Sequence, residues 1–270
     1  MSHEPQPGRV QLVGAGPGAA DLLTIRALRA IESAEALLYD ALIPDEILAL
    51  APRACVKIQT GKRAGRASIE QATINRLMLR LARRGLRVVR LKGGDPSIFG
   101  RVGEELAFLQ GHGIETEVVP GVTAACAAAA QFGFPLTHRG EARRVVFATA
   151  RTRDGCLVDD WQTAADPEAT LAIYMGAAQA HAVFAGLIAA GRPADTPAIA
   201  IENAGRAEAR RFTGTLATLA DNIAPGLQGP VLMLVGEIAA KGLASFTQLE
   251  STERGQAWGA MRSISSVTNR

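Results

Sequence analysis

Three glycine-rich segments could bring the backbone into close contact with a ligand. Gly14–Gly18 reads GAGPG, Lys92–Pro96 reads KGGDP and Pro120–Ala124 reads PGVTA. Each segment follows a short apolar run, and the first leads into a helical pattern. Glycine leaves room for a ligand, and the start of a helix offers free N–H groups. The segments indicate a nucleoside-like ligand, although a tight structural turn is the alternative for the first two.

The first segment also fits a dinucleotide-binding pattern. With Ala19 it matches GxGxxA, and Asp40 falls at the end of the next predicted strand, where a dehydrogenase binds a ribose. Pro17 argues against this reading, because proline lacks the backbone donor that would bind a pyrophosphate. From these residues alone, a nicotinamide cofactor and another nucleoside ligand both remain open.

Strands that alternate with helices must position these segments. Apolar runs predict strands at 9–13, 36–39, 56–59, 86–91 and 117–119, and helical spacing predicts helices at 21–36, 69–84 and 103–110. The pattern then restarts, with strands at 144–149, 171–174, 198–201, 211–215 and 231–235 and helices at 177–190 and 216–222. This predicts an α/β fold of two domains with largely parallel or mixed sheets, residues 1–138 and 139–245, and a mobile tail at 246–270. A cleft between such domains is a favoured position for a small-molecule site.

Composition limits the classes of partner. Lysine and arginine number 29 against 26 acidic residues, a net charge of +3, and aromatic residues make up only 4%. Both values argue against nucleic acid as a partner. The three cysteines show no CxxC pair or zinc spacing, and no run approaches the roughly 18 apolar residues of a membrane helix. Because the N-terminus also lacks a signal sequence, we expect a cytoplasmic protein with no metal and no membrane partner.

Motifs along the chain, taken in series, resemble the uroporphyrinogen-III C-methyltransferases of the tetrapyrrole methyltransferase superfamily. The strongest are VVRLKGGDPSIFGRVGEE at 88–105 and PLTHR at 135–139. Others are VGAGPG at 13–18, YDALI at 39–43, VVPGVTAA at 118–125, YMG at 174–176, IENA at 201–204 and GPVLMLVGE at 229–237. Ala19 and Ala204 depart from the family pattern, which usually has an acidic residue and a glycine at these positions. The resemblance implies a stand-alone, homodimeric methyltransferase.

The resemblance also implies a reaction and a cofactor. The family uses S-adenosylmethionine, without a metal, to methylate uroporphyrinogen III at ring carbons C2 and C7, which gives precorrin-2 for sirohaem, cobalamin or haem d1 synthesis. By their place in the motifs, the residues expected to bind the cofactor are Pro17, Gly93, Gly94, Asp95, Ile98, Thr123, Ala124, Met175 and Ala204. Another precorrin methyltransferase is the alternative function, followed by an RNA ribose methyltransferase of similar fold.

The same resemblance assigns catalytic and substrate-binding residues. Asp40 and Lys62 match the positions assigned to proton transfer, a general acid–base step. A guanidinium binds a carboxylate through two parallel hydrogen bonds, so three arginines are expected to bind the carboxylates of the substrate: Arg63, Arg101 and Arg139. Glu104 is expected to accept hydrogen bonds from pyrrole N–H groups. The alternatives are a hydrogen bond to a neighbouring loop for Asp40, a carboxylate-binding cation for Lys62, and structural ion pairs for the three arginines and Glu104.

Overall fold

The computed structural model describes residues 8–61, 69–150, 161–223 and 227–241. They form two five-stranded sheets, one parallel and one mixed, with helices on their faces. This arrangement confirms the predicted α/β class. Lys62, Arg63 and the predicted tail at 246–270 lie outside the described residues.

The first sheet is entirely parallel. Its strands, in the spatial order β3-β2-β4-β1-β5, are β1 (Val10–Gly14), β2 (Ala36–Tyr39), β3 (Val56–Gln59), β4 (Val88–Lys92) and β5 (Thr116–Val119). Val10 pairs with Val88 on one side and with Thr116 on the other, so β1 lies between β4 and β5. Parallel strands end at the same edge of a sheet, and the segments that follow β1, β4 and β5 therefore meet there.

Helices cover both faces of the first sheet. They are α1 (Ile25–Glu32), α2 (Asp45–Leu48), α3 (Gln71–Arg83) and α4 (Val102–Gly111). Val13 and Leu37 belong to the core beneath α1 and α2, whereas Leu12 and Leu38 belong to the core beneath α3 and α4. Successive strand residues point to opposite faces, so burial of both faces requires the continuous apolar runs seen in the sequence.

The second sheet is mixed. Its strands, in the order β6-β7-β10-β8-β9, are β6 (Arg144–Thr149), β7 (Ala169–Tyr174), β8 (Pro197–Glu202), β9 (Arg210–Thr215) and β10 (Val231–Val235). The pair β6 and β7 is parallel, and the other three pairs are antiparallel.

Three helices cover the second sheet: α5 (Ala124–Phe132), α6 (Ala180–Ala189) and α7 (Leu219–Asn222). Phe184 and Leu219 pack on one face, and Ala125 and Ala128 pack on the other. The helix α5 thus precedes residue 138 in the chain and yet lies against the second sheet. It joins the two halves of the molecule, and the division after residue 138 stays a prediction.

Several predicted helix bounds were wrong, most clearly those of the helix at 21–36. The helix α1 begins only after Thr24, whose hydroxyl oxygen accepts a hydrogen bond from the Ala27 N–H at 3.1 Å as an N-cap, and Ala36 already belongs to β2. The helix predicted at 177–190 begins with a separate 3-10 turn, and the one at 216–222 is only four residues long. Gly85 ends α3 as expected, with a φ of +82°.

Candidate active site

The three glycine-rich segments meet at the carboxyl edge of the first sheet. Gly16 follows β1 and Gly94 follows β4, and their backbones exchange two hydrogen bonds of 3.1 and 2.7 Å. A Cβ atom on Gly121, which follows β5, would lie 2.3 Å from the Gly94 carbonyl oxygen, and one on Gly14 would lie 2.6 Å from the Gly121 nitrogen. The segments therefore pack backbone against backbone, which only glycine allows at these positions.

Gly94 combines this packing with an open side. Its φ is +69°, and a Cβ atom built on it would have no atom within 4 Å. The backbone of Gly94 is thus held by Gly16 on one side and accessible on another. This is the geometry expected where a ligand approaches the main chain closely.

Asp95 ties two of the glycine segments together. One carboxylate oxygen accepts the Gly121 N–H at 2.9 Å, and the other accepts both the backbone N–H and the hydroxyl of Ser97. Burial alone would raise the pKa of Asp95, but the donors of Ser97 and Gly121 outweigh it and hold the pKa below its ordinary value. The structure thus gives Asp95 a structural role, and its contact with a cofactor stays a prediction.

Asp40 lies beside the second glycine segment. It follows β2, and one of its carboxylate oxygens accepts the Gly93 N–H at 3.1 Å. The other oxygen accepts the Leu42 N–H at 3.0 Å. Two backbone donors therefore fix the orientation of this carboxylate, which places the proposed base next to residues proposed to bind the cofactor.

A buried cluster of charged side chains, which the sequence did not predict, packs against this edge of the sheet. Glu105, in the first turn of α4, has no exposed surface, and it accepts hydrogen bonds from Lys92 at 2.9 Å, Arg90 at 3.3 Å and Gln71 at 3.0 Å. Burial lowers the pKa of Lys92, and the attraction of Glu105 opposes that effect. The only sequence signal was a pair of cations within the apolar run of β4.

Arg101 and Glu104 form an exposed pair at the start of α4. The guanidinium donates to both carboxylate oxygens, at 2.9 and 2.7 Å, and each side chain is more than half exposed. Arg139 is also exposed, in the turn between His138 and Ala142. All three side chains are exposed to solvent.

The second sheet contributes a wall of side chains. The Tyr174 hydroxyl lies 2.6 Å from the Thr123 hydroxyl and accepts the Ala125 N–H at 3.2 Å, so it joins β7 to the start of α5. Its ring lies 5.2 Å, centroid to centroid, from that of Phe99, in the segment after β4. Met175 follows, and its side chain is 54% exposed.

Ala204 lies near Pro17 across the two sheets. A Cβ atom on the adjacent Gly205 would lie 2.3 Å from the Pro17 ring. Just before this turn, Glu202 is buried at the end of β8 and accepts the N–H groups of Gln228 and Gly229 at 2.7 and 2.8 Å. A cavity of about 340 Å³ in the second half of the molecule is lined by Met175, Ala177, Ala178, Leu227, Gly229 and Val231.

Residues with strained backbone conformations lie on the segments that follow the strands at the site. Within the described parts of the chain, four non-glycine residues adopt a left-handed φ between 53° and 57°: Phe99, Arg101, Met175 and Asn203. Such conformations cost on the order of 1 kcal/mol each and are concentrated at functional sites. All four follow strands β4, β7 or β8, on the segments that carry the proposed cofactor and substrate contacts.

Most of the predicted site residues that the structure describes therefore lie on one set of strand-end segments. Pro17, Gly93, Gly94, Asp95, Thr123 and Ala124 lie at the ends of β1, β4 and β5, and Met175 and Ala204 approach from the second sheet. Ile98 lies in the segment between β4 and α4, where its N–H donates to the Asp95 carbonyl at 3.2 Å. Among the residues that the structure describes, no group of His, Cys, Asp and Glu is arranged to hold a metal, and no helix is long and apolar enough to cross a bilayer.

Known proteins resemble this chain over most of its length. Siroheme synthases of Methylococcus capsulatus and Chromobacterium violaceum are 46% and 47% identical over 255 and 232 residues. The alignments cover 93% and 86% of this chain but 54% and 49% of those proteins, so the chain spans about half the length of the siroheme synthases it matches.

Solved structures of methyltransferases also resemble this chain. A uroporphyrin-III C-methyltransferase from Thermus thermophilus, solved with S-adenosylhomocysteine, has a TM-score of 0.77 and 40% identity and covers 87% of this chain and 100% of its own. A cobalt precorrin-4 methyltransferase has a TM-score of 0.76 and 27% identity, covering 86% and 95%. The model of the tetrapyrrole (corrin/porphyrin) methylases matches residues 9–220. The chain belongs to the tetrapyrrole (corrin/porphyrin) methylase family.

Proposed function

We propose that this protein uses S-adenosylmethionine to methylate uroporphyrinogen III at C2 and C7, giving precorrin-2. One observation carries the proposal: the Asp40 carboxylate accepts the N–H of Gly93, so a candidate base lies beside the segment expected to bind the methyl donor. The name of the Thermus thermophilus relative supports the substrate.

The residues present fit an adenosyl ligand. Gly94 offers an accessible backbone at the edge of the first sheet, Met175 offers an exposed apolar side chain, and Ala204 is small. We propose that these residues hold the cofactor between them, together with Pro17 and the start of α5 at Ala124. When bound, S-adenosylmethionine supplies an electrophilic sulfonium methyl group. That the Thermus thermophilus structure contains S-adenosylhomocysteine supports this assignment.

Asp40 acts in this proposal as the general base. Methylation of an electron-rich pyrrole carbon leaves a cationic ring, which regains neutrality when the adjacent bridging carbon loses a proton. The Asp40 carboxylate accepts that proton, and its backbone donors at Leu42 and Gly93 keep it in one orientation. The remaining task of the protein is to align the reacting groups, which is a matter of positioning. Lys62 is proposed to assist proton transfer.

The substrate carries eight carboxylates, for which exposed arginines are suitable partners. Arg101 and Arg139 are exposed, and we propose that they bind substrate carboxylates together with Arg63. Glu104 now accepts from Arg101, and we propose that it turns to the pyrrole N–H groups when the substrate carboxylates take its place. In this arrangement the two groups pair with each other until the substrate arrives.

Mass spectrometry of the tetrapyrrole tests the function. The purified chain is incubated anaerobically with uroporphyrinogen III and S-adenosylmethionine. We expect a gain of two methyl groups on the tetrapyrrole and formation of S-adenosylhomocysteine. A chain that binds S-adenosylhomocysteine but leaves uroporphyrinogen III unmethylated would contradict the proposed substrate. Assays with later precorrins would then be required, since the cobalt precorrin-4 enzyme has a similar structure.

Sirohaem synthesis is the pathway that we propose, because relatives that are 46% and 47% identical to this chain are named siroheme synthases. A homodimer in the cytoplasm is part of the same proposal. Analytical ultracentrifugation of the purified chain tests the oligomeric state, and a monomer at micromolar concentration would contradict it.

A further inference from the structure

Arg206 reaches from the second sheet to two strand-end turns of the first. It lies in the segment after β8, and its Nε donates to the Pro17 carbonyl at 3.3 Å. Its Nη2 donates to the Leu42 carbonyl at 2.8 Å. Pro17 follows β1 and Leu42 follows β2, so one guanidinium joins three segments at the edge of the site.

The backbone leaves space for this side chain. A Cβ atom on Gly18 would lie 2.4 Å from the Arg206 Nε and 2.7 Å from its Cγ. The aliphatic stem of Arg206 therefore lies directly on the Gly18 backbone. A φ of +150° adds a second reason for glycine at position 18.

Gln131 fixes the main chain from which Arg206 projects. The amide oxygen of Gln131 accepts the Gly205 N–H at 2.8 Å, and its amide nitrogen donates to the Arg206 carbonyl at 2.8 Å. Gln131 lies on α5, which packs on the second sheet. The two bonds hold the main chain on either side of the peptide group between Gly205 and Arg206, so the guanidinium projects from a fixed point.

The contact with Leu42 leads directly to Asp40. The Leu42 carbonyl accepts from Arg206, while the Leu42 N–H donates to the Asp40 carboxylate at 3.0 Å. Arg206 therefore holds the turn that orients one oxygen of Asp40. Without the guanidinium, this turn would lose its hydrogen bond to the segment that follows β8.

We propose that Arg206 is a positioning residue for methyl transfer, which acts through Leu42 on the Asp40 carboxylate and through Pro17 on the cofactor segment. The inference rests on the proposed function for its catalytic part. The part that concerns the cofactor segment is tested by binding of S-adenosylhomocysteine and does not depend on catalytic activity. Loss of the guanidinium then has two effects. The Asp40 carboxylate is held less firmly in its orientation, and the cofactor segment at Pro17 is held less firmly against the second sheet.

Binding of S-adenosylhomocysteine, measured by calorimetry, tests the contact with Pro17. We expect Arg206→Ala to raise the Kd by roughly tenfold, the size expected for loss of a charged hydrogen bond that orders a loop. Arg206→Lys should give a smaller rise, because an ammonium lacks the planar fork needed to reach both carbonyls. It also retains the charge and the aliphatic stem, and it covers the case in which Arg206→Ala does not fold. The control is Arg80→Ala, on the exposed side of α3.

A double-mutant cycle with Asp40→Asn tests the contact with Leu42. Single-turnover rates are measured for the wild type, Arg206→Lys, Asp40→Asn and the double variant. If Arg206 acts through Asp40, the substitution slows the wild type by roughly tenfold and has little further effect in the Asp40→Asn background. An equal loss in both backgrounds, or no loss in the wild type, would overturn the proposal.

The two measurements separate this inference from the proposed function. A wild type that methylates no tetrapyrrole would contradict the proposed function. The calorimetric Kd values would then be the only test of the role of Arg206. An unchanged Kd in both Arg206 variants would overturn the role of Arg206 in that case. A raised Kd with the Arg80→Ala value unchanged would support it.

Discussion

The two walls of the candidate site are built by different means. The first-sheet wall, formed by Gly14, Gly94, Gly121 and Asp40, consists of main chain packed on main chain, with a carboxylate held by backbone donors. The second-sheet wall, formed by Tyr174, Met175, Ala204 and Arg206, contains two side chains, those of Tyr174 and Arg206, that reach across to segments of the first sheet. We infer that the first-sheet wall carries the groups of the chemical step and that the second-sheet wall closes the site. Substitutions in the first-sheet wall should therefore reduce activity or stability more.

The largest effect is expected at Asp40. Asp40→Asn keeps the shape of the carboxylate but removes its basicity, and we expect kcat to fall by roughly 10²- to 10⁴-fold, the range of general-base catalysis. Steady-state kinetics with saturating S-adenosylmethionine measure this change. The Kd of S-adenosylhomocysteine should change much less. Asp45→Asn, on the exposed first turn of α2, is the matched control. Unchanged turnover in Asp40→Asn would remove the catalytic assignment from the first wall.

Two neighbouring glutamates test the buried support of the first wall. Glu105→Gln leaves the buried cations of Arg90 and Lys92 without their shared counter-ion, and we expect a loss of about 3–5 kcal/mol in the free energy of unfolding. Glu104→Gln breaks a pair that is more than half exposed and should cost about 0–1 kcal/mol. Urea denaturation measures both values. Equal losses would mean that the cluster beneath β4 does not support this wall.

A pair of glycine substitutions tests the backbone packing itself. Gly121→Ala places a methyl group 2.3 Å from the Gly94 carbonyl, where backbone must move, and we expect a loss of about 1–3 kcal/mol. Binding of S-adenosylhomocysteine should weaken at the same time. Gly103→Ala, in α4, has open space for its Cβ and should stabilise by about 0.5–1 kcal/mol. Thermal unfolding measures the stability of the two variants, and calorimetry measures their binding of S-adenosylhomocysteine. A Gly121→Ala variant that is as stable as the wild type and binds as tightly would contradict the role of backbone packing in the first-sheet wall.

The smallest effect is expected at Glu202, which anchors the end of β8 next to the second-sheet wall, and it depends on pH. Burial raises the pKa of Glu202, but donors at Gly229, Arg210 and Gln228 outweigh it and lower the pKa below the unfolded value of 4.5. The contribution of Glu202 to stability is therefore fully present above that value and is lost as the pH falls through the folded pKa. We expect the wild type to lose stability more steeply than Glu202→Gln below a pH of about 4.5. Unfolding curves between neutral and acid pH measure this, with the exposed Glu208→Gln as control. Parallel curves for wild type and Glu202→Gln would contradict the anchoring role.

Local patterns made much of the first wall predictable. Strands buried on both faces, such as β1 and β4, appear as unbroken apolar runs, and the glycines that follow them mark the turns. The side-by-side arrangement of the turns after β1, β4 and β5 then follows from a parallel sheet. The family motifs added Met175 and Ala204, which no local rule would have selected.

Contacts between distant segments explain what the sequence did not reveal. Glu104 and Glu105 are adjacent and chemically identical, and only the rotation of α4 relative to β4 decides which one is buried. The alanine-rich α5 shows no polar and apolar alternation, and the four-residue α2 is too short for a periodic signal. Arg206 resembled any surface arginine, because its partners lie more than 160 residues away in the chain.

A crystal structure of the chain with S-adenosylhomocysteine tests the central claim most directly. We expect the ligand to lie between the two walls, with its backbone contacts at Gly93 and Gly94, its apolar contact at Met175 and its sulfur directed towards the side of Asp40. A ligand bound elsewhere on the molecule, or the absence of binding at saturating concentration, would contradict the assignment of these strand-end segments as the methyl-transfer site.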